Sequence, residues 1–149
     1  MPDRHLWTRH STKTITFTGA AGAGAAGTVT VFTITGRVFI HQITAFCTTL
    51  LTATGAATLS FGTAGDIDAF IAITTATDID ANEWWGTSTP AIDSYSPVVG
   101  AATGGYTTQQ ERKWLSNNAI LTVATADVST GAIVFDVIYT PLTDGARLA

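Results

Sequence analysis

Charge is scarce in this sequence. Only 12% of its 149 residues are charged, about half of the ~25% usual in globular domains. Seven Lys and Arg against eleven Asp and Glu leave a formal charge of −4. Such a balance offers no basic surface of the kind nucleic acid requires. Cysteine is almost missing as well: the single Cys47 excludes an internal disulfide and a Cys-based zinc cluster, and is compatible with a reducing compartment. No apolar run approaches the ~18 residues of a membrane span, since Phe46–Ala53 is broken by threonines. The first residues carry charge but no apolar stretch, so no secretory signal is expected and the mature chain is expected to begin at Met1.

Threonine takes the place of charge, at about one residue in five, beside abundant alanine and 14 glycines. Its β-branched side chain fits a pleated surface and still tolerates water. A hydrophobic content of 46% in one domain-sized chain is enough for a core without staples. The composition therefore predicts an all-β domain.

Periodicity supports this. Ile15 and Phe17 alternate with Thr14, Thr16 and Thr18, and Thr28–Thr35 repeats the pattern with Val29, Val31, Phe32 and Ile34. Val38–Thr52 reads as a long strand bent midway, and Ala57–Gly62 as a short one. Asn118–Thr125 and Gly131–Thr140 read as a hairpin across Asp127–Gly131. The Gly19–Gly27 tract between strands is expected to be a flexible loop. Ile67, Phe70 and Ile71 stand at i, i+3 and i+4 behind an acidic start, which suits a short helix. The expected architecture is a β-sandwich or jelly-roll-like domain over 14–149. It carries a helical or irregular insertion at 66–105 and an extended N-terminal arm, Met1–Lys13.

Gly22, Gly24 and Gly27 satisfy G-x-G-x-x-G in letter alone. The tract runs into strand Thr28–Phe32, with no helix to face a pyrophosphate and no acid ~20 residues on. Asp78-x-Asp80-x-Asn82 imitates half of a calcium loop, but Glu83 stands where the turn needs Gly and Thr89 where the bidentate Glu belongs. His5 and His10 fall in the arm, His41 within a strand, and Cys47 in an apolar stretch, so no nucleophile–base pair is apparent. No cofactor, metal or catalytic residue is assigned. Trp84 and Trp85 are adjacent in a segment that turns successive side chains to opposite faces, which points one ring toward the surface. Aromatic anchors suit a protein interface, and with Tyr95 or Tyr106 they would also suit sugar stacking.

The runs Ala57–Asp66, Asp68–Ala72 and Thr74–Ala81, with the closing runs Asn118–Val123, Ser129–Val134 and Tyr139–Leu142, resemble small virion structural proteins of tailed bacteriophages, in the style of head decoration or cement proteins. The resemblance spans about the C-terminal two-thirds of the chain. It implies a non-enzymatic, β-rich homotrimer on the capsid surface, assembled in the host cytoplasm and bound to the major capsid protein, with neither nucleic acid nor membrane as partner. Arg4, Trp7 and Arg9 of the arm, with Trp84 and Trp85, are the expected partner-binding residues. The alternatives are a tail, baseplate or fibre component, a carbohydrate-binding β-sandwich, or a hydrolase built on the acids of Asp66–Glu83.

Overall fold

Among the residues described by the computed structural model, 7–86 and 113–149, regular structure is eleven strands and one 3₁₀ turn, Ala76–Asp78. The strands are β1 (Arg9–Thr16), β2 (Gly27–Phe32), β3 (Ile34–Thr35), β4 (Val38–Ala53), β5 (Thr58–Thr63), β6 (Asp66–Thr75), β7 (Glu83–Trp85), β8 (Lys113–Leu115), β9 (Ala119–Ala124), β10 (Val128–Pro141) and β11 (Arg147–Leu148).

One sheet has the order β1-β10-β4, with β7 and β8 each pairing part of the far edge of β4. The second has the order β2-β9-β5-β6. All these pairings are antiparallel. Successive strands repeatedly cross between the sheets, and the late strand β10 returns to lie between β1 and β4. This is jelly-roll order, in which two interlocked Greek keys wrap one core.

The core explains the wrapping. Ile133, Phe135, Val137 and Tyr139 of β10 share a face with Val38, Ile40, Ile43 and Cys47 of β4. They pack toward Val31 of β2, Leu121 and Val123 of β9, and Leu59 and Phe61 of β5. Phe61 and Phe135 meet from opposite sheets with ring centroids 4.7 Å apart. Trp85 stands 6.3 Å from Phe135 in an edge-on arrangement. A short sheet, β3 with β11, lies against the first sheet: Leu148 N–H donates to the Tyr139 hydroxyl at 3.3 Å, and the Ser11 hydroxyl donates to Leu148 O at 3.3 Å.

The expected hairpin of Asn118–Thr125 with Gly131–Thr140 does not form. β9 pairs with β2 and β5, whereas β10 pairs with β1 and β4, so the two strands face each other across the core. The turn between them is tight: Ala126 N–H donates to Ala124 O at 2.9 Å around Thr125, whose φ is +72°. Both strands are apolar on the inward side, and each becomes a central strand with two neighbours.

The helical reading of 66–73 is also corrected. Asp66–Thr75 is strand β6, because β5 supplies a ladder partner and Ile71–Thr75 is rich in residues suited to strands. Of the rest of 66–105, Ala76–Asp78 is the 3₁₀ turn and Glu83–Trp85 is strand, while 87–105 lies outside the described residues. The arm expected over Met1–Lys13 is corrected in its second part, and 1–6 lie outside the described residues. β1 begins at Arg9 and pairs in continuous register with β10, so Arg9–Lys13 belongs to the sheet.

The Gly19–Gly27 tract is a pinned turn. Thr18 N–H donates to Ala23 O, Ala25 N–H to Ala20 O, and Val128 N–H to Gly24 O at 2.7, 3.0 and 2.8 Å. A Cβ on Gly24 would stand 2.2 Å from Val128 O, so this glycine serves close packing of backbone.

Candidate interaction surface

The outer face of the larger sheet collects aromatic side chains along β4. Phe39 lies opposite Trp114 of β8, and Phe46 opposite Trp84 of β7. Register therefore builds two Phe–Trp pairs, with ring centroids 5.2 and 4.8 Å apart. His41 meets the edge of Phe39 at 4.9 Å, and its Nε2 lies 2.7 Å from Thr140 Oγ1. Trp114 is 74% exposed. Beside it an open groove of about 330 Å³ is lined by Arg37, Val38, Trp114, Leu115, Ser116 and Leu142. An indole this open beside apolar and cationic walls is suited to a protein partner.

The expected partner-binding residues divide. Trp7 precedes β1 and is 73% exposed, while Arg9 is an exposed residue of β1. Arg4 lies outside the described residues. Trp84 is half-buried on Phe46 and remains on the outer face. Trp85 is a core residue, 1% exposed, with its indole N–H donating to Thr74 Oγ1 at 3.0 Å. Burial removes Trp85 from any partner surface and removes the Trp84–Trp85 platform on which a sugar would stack. Tyr95 and Tyr106 lie outside the described residues. Trp114, Phe39 and Phe46 were not legible as a group, because two of the three sit in one strand and the third is joined to them only by register.

Catalytic alternatives find little geometry. On the outer face His10 Nε2 lies 2.9 Å from Asp136 Oδ1. The Thr12 hydroxyl donates to the same carboxylate oxygen and lies 3.3 Å from the same ring nitrogen. Hydroxyl and carboxylate thus meet one nitrogen, whereas a nucleophile–base–orienter chain uses both. Among the described residues, no three His, Cys, Asp or Glu side chains gather as a metal site. The Glu83 carboxylate instead accepts from Asp80 N–H at 2.9 Å, tying the turn before β7.

Cys47 is buried on β4. Desolvation pushes its thiol up to about 11, opposed by a hydrogen bond with the Thr49 backbone and assisted by the nearby negative charges of Glu83 and Asp80. A thiol reagent at pH 8 should therefore leave the folded protein unlabelled and react on addition of denaturant, as read by mass spectrometry. Rapid labelling of the native chain would refute the buried placement. Because the folded-state value is raised, this group's contribution to stability is complete below the unfolded value and is lost as pH climbs toward about 11.

No family model matches the chain, and no curated protein does. Among solved structures, a chain of the cyanophage Pam1 capsid asymmetric unit is similar with a TM-score of 0.55 at 17% identity, covering 90% of this chain and 84% of that one. The two chains share a fold. Chains of the Ralstonia phage GP4 capsid and of the acid-stable capsid of Helicobacter pylori bacteriophage KHP30 align with TM-scores of 0.49 and 0.45 and identities of 15% and 11%. The GP4 alignment covers 97% of this chain and 90% of that one, and the KHP30 alignment covers 96% and 98%.

Proposed function

We propose that the protein is a structural component of a bacteriophage head: a non-enzymatic decoration or cement subunit that sits on the capsid surface as a trimer and binds the major capsid protein. The observation that carries this reading is the fold shared with a chain of the Pam1 capsid over 90% of this chain. Jelly rolls are a recurrent capsid architecture. The aromatic outer face supports the reading further, since exposed Trp114, with half-buried Phe39, Phe46 and Trp84, offers anchors to a neighbouring shell protein. Arg4 and Trp7, ahead of β1, would extend that contact. Many copies attached to a symmetric shell turn modest single contacts into firm retention.

Co-sedimentation of the purified protein with heads of the phage that carries its gene tests the proposal. Wild type should pellet with heads, and Trp114→Ala should weaken retention by about tenfold or more while leaving the circular dichroism melt unchanged. Retention unaffected by Trp114→Ala and Phe39→Ala together would remove the outer face from the contact. Recovery of the protein with purified tails, and not with heads, would transfer it to the tail or baseplate.

A further inference from the structure

Two strand edges on opposite flanks of the sandwich carry opposite charge. β1 ends the first sheet on the flank it shares with β2, and its exposed Arg9 and Lys13 lie on one side of the strand. β6 ends the second sheet on the other flank, where Trp85 bonds Thr74 and Lys113 lies over the Phe70 ring. That edge opens with exposed Asp66 and Asp68. It also holds Ile67 and Ile73, 39% and 56% exposed, two of the few large apolar side chains left to solvent among the described residues. Neither Arg9 nor Lys13 nor either aspartate has an ion-pair partner among the described residues. The other edges differ: β2 has no charged residue, and β7 and β8 are three residues each.

Protein sheets usually blunt a long edge by a bulge, by shortness or by cover. β6 is bulged against β5 at two places, whereas β1 is eight residues long and keeps unbroken register with β10. Among the described strands β1 pairs on one side only, so its outward N–H and C=O groups are offered to a neighbour.

We propose that copies of this chain associate side by side, the β1 edge of one against the β6 edge of the next. Arg9 and Lys13 then face Asp66 and Asp68, and the docked edge covers Ile67 and Ile73. The contact is heterologous, since each copy contributes a different edge, and that is the type of contact a cyclic trimer needs. It deepens the trimeric part of the reading above and rests on it for the number of copies in the ring.

Sedimentation velocity of the full chain over a concentration series tests this, with Lys13→Glu, Asp68→Lys and the double variant as probes. Wild type should associate. Each single reversal should weaken association by about tenfold or more, and the double should recover most of the loss, because the charges then oppose again in exchanged positions. Association should also weaken with added salt. Circular dichroism melts of all three variants should match wild type, as the replaced side chains are exposed. A wild type that stays monomeric to about 1 mM, single reversals without effect, or a double variant no better than the singles would each overturn the proposal. Charge-dependent association in a protein that never binds heads would sink the decoration reading and leave this contact standing. Head binding that survives both single reversals with an unchanged oligomer would do the opposite.

Discussion

Trp85→Ala should remove about 3–5 kcal/mol of unfolding free energy, while Trp84→Ala next to it should cost about 1 kcal/mol or less. The two residues are chemically identical neighbours, and the backbone of β7 turns them to opposite faces. Trp85 is enclosed against Phe135 and donates its indole N–H to Thr74. Truncation leaves a cavity too large for the core to refill and removes the indole donor from the Thr74 hydroxyl, which keeps its own bond to Ala72 O. Trp84 loses only one tilted contact with Phe46 and uncovers surface that water already touches in part. Against a typical stability of ~5–15 kcal/mol, the first loss brings the domain near its unfolding threshold. Urea denaturation followed by circular dichroism measures both. Equal losses at the two positions would refute the assigned facing of β7.

Gly131→Ala should also be strongly damaging, at roughly 2–4 kcal/mol from backbone strain and overpacking together. Gly131 has φ +112°, a region that L side chains rarely adopt. A Cβ there would stand 2.5 Å from Leu51 Cδ2 and 2.7 Å from Leu50 O. The leucine side chain can shift, but the carbonyl is backbone of β4, held between Thr49 and Thr52, which pair with Ala132 and Thr130 on either side of Gly131. The Gly131 carbonyl also accepts Phe17 N–H at 2.9 Å, so displacement would loosen the exit of β1. Gly65→Ala is the control. It has open space where its Cβ would be and should change stability by less than about 1 kcal/mol. Comparable losses at both glycines would refute close approach at Gly131 as the source of the cost, since chain entropy by itself favours Ala over Gly.

How far the sequence could be read depends on which faces of a strand are buried. Where one face is apolar, as at Ile15 and Phe17 or at Val29 and Val31, alternation announces the strand. Arg9–Lys13 belongs to the same strand as Ile15, yet it lies at an edge with both faces largely wet, so it resembles a loose arm. Asp66–Ile73 misleads in the opposite direction. Bulges against β5 disturb its alternation until three apolar residues fall at helical spacing. Gly62 permits that bulged backbone, since a Cβ on it would lie 2.2 Å from Asp66 O.

The candidate surface was legible only in part. That one of Trp84 and Trp85 faces outward follows from local pattern, but which of them is buried, and the Trp114–Phe39 pair, depend on which strands flank β4. By itself the sequence determined an all-β, charge-poor domain, because threonine and β-branched residues favour a pleated surface wherever they stand. Tertiary structure decided the rest. Antiparallel partners are chosen by burying apolar faces between distant segments, and that choice sent β9 and β10 into opposite sheets, put one tryptophan in the core, and left two oppositely charged edges on opposite flanks.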